Sequence, residues 1–158
     1  MRWLAAAVLC GCGGPGPRPS LDASVPNRPP RIVSNAPALR SAWLSGACAA
    51  TQNQPPRLAV SDPDGDRLRA VWFVDDDFAA PAFATPVDCP ADQVCTVASP
   101  AAPPFTTRLA NLSSGVHLVT AVVADSEFQA LVGDPVTVTR EDGFTDAFTW
   151  VLDVSACP

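Results

Sequence analysis

From residue 57 onward, the apolar runs of this chain are each cut short by a turn signal. Arg57-Leu-Ala-Val-Ser61 alternates and stops at Asp62-Pro-Asp-Gly-Asp66, and Leu68-Arg-Ala-Val-Trp-Phe-Val74 stops at Asp75-Asp-Asp77. Phe105-Thr-Thr-Arg-Leu109 alternates again. Asn111-Leu-Ser-Ser-Gly115 then turns the chain into Val116–Ala124, the longest β-branched stretch. Val136-Thr-Val-Thr139 reads as a short edge strand and Ala147–Val154 as the last one. β-Branched and aromatic residues bounded by Asp, Gly, Pro and Ser are strand chemistry. No segment between them carries the 3.6-residue period of an amphipathic helix, so the pattern predicts an all-β sandwich. The 18 prolines agree with this, and an apolar fraction of 47% is enough for a packed core. The domain is expected over 31–158, opening at Ile32-Val33 behind Pro29-Pro30.

The N-terminus reads differently. Arg2 precedes an apolar run from Trp3 to Leu9, the layout of a secretory signal and too short for the roughly 20 helical residues that span a bilayer. Leu9-Cys10-Gly11-Cys12 resembles the bacterial lipobox, with an aliphatic residue three before the cysteine and a small one immediately before it. That resemblance implies a signal peptide over 1–11, lipidation of the Cys12 thiol and a membrane partner reached through lipid. Gly13, where some lineages place an inner-membrane retention aspartate, leans the expected address towards the outer membrane. Residues 12–30 hold too many prolines and glycines for a core or a ladder and are expected to form a linker. As polyproline II it would reach on the order of 50 Å.

Discounting Cys10 and Cys12 leaves Cys48, Cys89, Cys95 and Cys157. An even number in an exported chain reads as two disulfides. Three pairings are open, and proximity favours Cys89–Cys95 with Cys48–Cys157. In the chain-entropy account the short loop contributes about 2.4 kcal/mol and the long one about 5. A four-thiolate zinc site is disfavoured, because it wants two closely spaced pairs.

Asn27-Arg-Pro-Pro-Arg-Ile32, Asp62-Pro-Asp-Gly-Asp-Arg-Leu68, Trp72-Phe-Val-Asp75 and the run Leu112–Asp125 together resemble the cadherin-like and PKD-like immunoglobulin-fold domains of bacterial surface proteins. The resemblance implies an extracytoplasmic sandwich used for adhesion, spacing or binding. It departs in an inserted proline-rich excursion, Pro81 to Pro104, which carries Cys89 and Cys95. Fold alone transfers no function.

With a net charge of −6 and arginines scattered singly, the chain has no basic stripe for phosphates, so nucleic acid is not an expected partner. Asp62, Asp64 and Asp66 form the sharpest local feature. Alternating carboxylates beside a glycine present oxygen ligands to calcium, yet the same residues are ordinary turn chemistry. Asp75-Asp76-Asp77 reads as a solvated strand end. His117, the single histidine, is expected to face solvent, and Ser113-Ser114 lies in a turn without the strand-to-helix elbow of esterases. Trp72 and Trp150 are expected in the core and Trp43 at the surface. No catalytic set stands out. The expectation is a non-catalytic envelope lipoprotein serving as a structural or binding module, with no cofactor unless calcium, and possible envelope partners. The alternatives are a calcium-rigidified adhesin, and an envelope hydrolase or its accessory subunit built on strand-end acids.

Overall fold

The structure, a computed structural model, describes residues 26–129, 137–138 and 143–156. The expected signal peptide, Cys12, the linker as far as residue 25, and Cys157 lie outside the described residues.

Among the described residues eleven strands follow in order: β1 (Arg31–Ala36), β2 (Arg40–Leu44), β3 (Arg57–Ser61), β4 (Arg67–Val74), β5 (Ala82–Phe83), β6 (Val87–Asp88), β7 (Val94–Ala98), β8 (Gly115–Ala124), β9 (Phe128–Gln129), β10 (Thr137–Val138) and β11 (Thr145–Ser155). A 3-10 turn (Gly46–Cys48) runs into α1 (Ala49–Gln52), and α2 (Phe105–Ala110) precedes β8. One main sheet has the order β1-β3-β7. The other has the order β2-β11-β8-β4-β5, with β6 also on β4, and β9 and β10 pair with each other. Neighbours are antiparallel except β2 and β11, which run parallel. The expected all-β class holds.

Alternation sets the inner face. Val119, Ala121 and Val123 of β8 and Trp150, Leu152 and Val154 of β11 are buried, while Thr120 and Thr149 meet on the outer side through their hydroxyls at 3.0 Å. Leu58 and Val60 of β3 and Val97 of β7 join the same core from the opposing sheet. Trp72 lies at its centre, stacked on Trp150 at 5.3 Å and meeting the Phe105 ring edge-on at 6.0 Å. β4 is buried on both faces, because Phe78 folds back onto the outward Phe73 with ring centres 5.0 Å apart. The two core tryptophans are where the sequence placed them.

Three expectations need correction. Phe105–Leu109 is the helix α2, not a strand. Phe105 and Leu109 are both buried, and their four-residue spacing puts them on one helical face, while Pro103-Pro104 sits where a helix tolerates proline. Trp43 is buried at 4% exposure and donates its indole N–H to the Leu109 carbonyl at 3.2 Å. It sits on β2, a short strand without clean alternation that exists because β11 offers it a parallel edge. The linker does not run to residue 30: Pro30 is buried, and Asn27 and Arg28 bond to the domain. The proline-rich excursion 81–104 supplies β7, the third strand of the smaller sheet. Cys89–Cys95 is formed as expected, with Cys89 buried against β3, whose Val60 pairs with Cys95.

The strand directions define two poles. Asp62–Asp66, Asp125 and the entry at Asn27-Arg28 share the first pole. β4 then carries the chain on the order of 25 Å to Asp75–Asp77 at the second. Gly115, α2 and the end of β11 lie at that second pole, because β8 runs back from Gly115 while β11 reaches it at Val154.

Candidate functional site

At the second pole a tight turn follows β4, with Asp75 at φ +53° and Asp76 at φ +55°. Two consecutive non-glycine residues in the left-handed region are costly and persist only where surroundings hold them. Here β8 does the holding. The Asp75 N–H donates to the Leu118 carbonyl at 2.8 Å, and the Leu118 N–H donates to Asp75 Oδ1 at 3.0 Å. The second carboxylate oxygen, Oδ2, lies 2.8 Å from Nδ1 of His117. Two residues on, Asp77 forms an ion pair with Arg108 of α2, whose Nη1 also donates to the Ala80 carbonyl at 3.3 Å.

His117 thereby becomes the centre of a chain of polar contacts. Its Nε2 lies 2.9 Å from the Ser113 carbonyl oxygen and 3.3 Å from Ser113 Oγ. The Asp75 hydrogen bond raises the imidazole above its ordinary value; partial burial opposes this, and the Ser113 carbonyl adds to it. As imidazolium the ring donates from both nitrogens, to Asp75 and to the Ser113 carbonyl. As neutral imidazole with its proton on Nδ1, it presents a bare Nε2 that accepts the Ser113 hydroxyl proton. His117 was expected to face solvent, but its side chain is only 13% exposed. Asp75 and Asp76 are exposed, as expected of a solvated strand end, and Asp75 and Asp77 are in addition paired with His117 and Arg108.

These groups line a cleft of about 550 Å³ that also takes in Thr107 and Asn111. Across the end of α2 lies an apolar hollow of about 470 Å³, walled by Trp43, Ala49, Pro55 and Leu109. The two spaces share Thr107 and Asn111. Nothing local in the sequence announced this arrangement. Ser113 and His117 are neighbours by spacing, but Asp75 arrives only through the pairing of Val74 with Val119.

A pH dependence follows from the raised imidazole. Its stabilising contribution is fully present below the unfolded value of about 6.5 and is lost as pH rises through the higher folded value. The wild type is therefore expected to lose thermal stability between about pH 6 and pH 8, and His117→Gln to flatten that slope. Melting curves across this range check it, and parallel slopes for the two proteins would refute it.

The acidic turn of the first pole is built otherwise. Asp62 is fully buried, and its Oδ1 accepts the N–H groups of Asp64, Gly65 and Asp66 at 2.9, 2.9 and 3.2 Å. Gly65 has φ +80°, and a Cβ there would lie 2.8 Å from the Ala91 backbone nitrogen, so only glycine fits. Arg28 closes over the turn, donating its backbone N–H to Asp64 Oδ2 at 2.6 Å and its Nε to Oδ1 at 2.9 Å. Those bonds, the backbone one first, hold the Asp64 carboxyl below its ordinary value. Asn27 donates to Asp125, which also accepts the Phe144 N–H. The structure does bring Asp62, Asp64 and Asp66 together, with one oxygen of each within 4.8 Å of the others. As a calcium cradle the fit is divided. Both Asp64 oxygens already face Arg28 donors, whereas Asp62 Oδ2 is buried without a partner.

Comparison with protein-family models, with curated proteins and with solved structures finds no match to this chain.

Proposed function

We propose that the chain is a cell-envelope lipoprotein, held at the outer membrane by lipid on Cys12, whose domain is a binding module with its working face turned away from the anchor. One observation carries this reading: the chain enters the domain at the first pole, and both hollows open at the second. A ligand or envelope protein would then meet the exposed end of the tethered domain. Two sheets with the order β1-β3-β7 and β2-β11-β8-β4 support an immunoglobulin-type sandwich, the first edge being split between the sheets. The pairing of Leu44 with Ser155 supports a second disulfide, Cys48–Cys157. It brings Ser155, two residues before Cys157, beside the segment that reaches Cys48 a few residues later.

Intact mass of the full chain from a bacterial host tests the reading. We expect an acyl increment that disappears with Cys12→Ala, and a gain of about 4 Da on reduction, two hydrogens per bridge. An unmodified N-terminus carrying free thiols would overturn it.

A second reading, a calcium-rigidified module, is favoured by the partnerless Asp62 Oδ2. Titration calorimetry with millimolar calcium decides it: heat that vanishes in Asp62→Asn supports the site, and no heat removes it.

A further inference from the structure

We propose that Ser113, His117 and Asp75 form a nucleophile–base–carboxylate relay that cleaves esters of apolar acids, an activity beyond binding and independent of how the chain is anchored. The geometry sets a serine beside an oriented base. Asp75 Oδ2 lies 2.8 Å from Nδ1 and fixes the tautomer, while Nε2 stands between the Ser113 carbonyl oxygen at 2.9 Å and Ser113 Oγ at 3.3 Å, so that loss of the Nε2 proton leaves the hydroxyl as its partner. Asp75 is itself held by both of its bonds to Leu118 in a backbone conformation that costs energy, which points to positioning rather than to chance contact. Ser113 stands exposed at the lip of the polar cleft, where an incoming carbonyl can reach it.

The surroundings set the substrate class. The apolar hollow across α2 offers room for a hydrocarbon acyl group. Arg108 and Asn111 also line the cleft and carry more N–H donors than their internal bonds use, and these are the donors it offers to an ester carbonyl. The charged groups around the imidazole are Asp75 from the β4 turn and the Arg108–Asp77 pair bridging that turn to α2.

The chemistry balances with water as the second reactant. His117 Nε2 takes the Ser113 proton as Oγ bonds to the acyl carbon. The bond from that carbon to the alkoxy oxygen breaks, and the imidazolium returns the proton to the departing alcohol. Water then gives a proton to Nε2 and attacks the acyl carbon, the acid leaves, and Ser113 recovers its proton. The Ser113 carbonyl beside Nε2 makes the imidazolium form unproductive, since that proton is then held by the backbone and Oγ has no acceptor.

The test uses the full chain with p-nitrophenyl butyrate and with a fluorophosphonate probe, followed by peptide mass mapping. A phosphonate adduct confined to Ser113, and hydrolysis reduced at least about 100-fold in Ser113→Ala, is the expected result. Asp75→Asn is expected to lower the rate by a similar order, and the wild-type rate to climb with pH as His117 loses its proton. Ser114→Ala, whose hydroxyl bonds instead to the Val154 carbonyl, serves as the folded control and keeps full activity. Hydrolysis unchanged in Ser113→Ala, or an adduct absent or scattered over other serines, overturns the proposal. Ser113→Ala removes only an exposed hydroxyl, so its circular dichroism spectrum is expected to match wild type.

Discussion

Trp72→Ala is expected to cost the domain about 3–5 kcal/mol, a drop in melting temperature of roughly 10–20 °C. The indole is fully buried, and it is the plane on which the two sheets and α2 converge: Trp150 stacks on it from β11, and Phe105 meets it edge-on from α2. Truncation would remove one ring from both aromatic pairs and leave a void in a core shared by β3, β4, β8 and β11, whose paired strands limit how far the walls can relax. A domain of this size has only about 5–15 kcal/mol of stability in total, so this one change takes a large part of it. Trp72→Phe separates packing from polarity. The Trp72 N–H is buried without an acceptor, so losing it is no penalty. The Trp150 N–H donates to the Pro37 carbonyl at 3.0 Å, an oxygen that Asn35 Nδ2 also reaches at 2.9 Å, so Trp150→Phe removes one of its two hydrogen bonds. Trp72→Phe is therefore expected to be the milder of the two by about 1 kcal/mol. Denaturant titration of both variants checks the order, and the reverse order would contradict this account of the core.

The same residues explain which parts of the fold were legible in advance. β3, β4, β8 and β11 have a sharp start, a β-branched body and an Asp, Gly or Ser stop, and local chemistry alone specifies them. β2 and β7 lack that signature because their partners, not their own residues, make them strands: β2 completes an edge of β11, and β7 is clamped beside β3 by Cys89–Cys95. Phe105-Thr-Thr-Arg-Leu109 satisfies period 2 and period 3.6 equally over five residues. The prolines before it, and burial of both ends on one face, decide for helix. The candidate site was the least legible part. Asp75 and His117 are 42 residues apart, and no spacing rule joins them; the antiparallel register of β4 and β8 does. The acidic turn was visible as a cluster, but Arg28, the residue that neutralises Asp64, sat in what read as linker.

Asp62→Ala is expected to be the other severe change, at about 3–5 kcal/mol, although it removes no apolar contact. Asp62 Oδ1 alone gathers three successive N–H groups of the turn between β3 and β4. Without it those donors lose their partner in a place where Gly65 is pressed against Ala91, and the left-handed turn has nothing to hold it. The damage would spread to Arg28, which grips Asp64 and the Pro63 carbonyl of the same turn and so ties the chain entry to the domain. Asp62→Asn keeps an acceptor at the Oδ1 position and is expected to cost clearly less than alanine, about 1–2 kcal/mol, mainly from an amide buried where Oδ2 has no partner. Chemical denaturation of wild type, Asp62→Ala and Asp62→Asn, each with calcium and with a chelator, reads both roles of the residue at once. If Asp62 acts as a turn cap, the alanine variant is much the weakest and chelator moves none of the three. If it acts as a cation ligand, chelator lowers the wild type towards Asp62→Asn and leaves both variants unmoved. Equal losses for alanine and asparagine in chelator would show that the three N–H bonds to Oδ1 are not what holds this pole together.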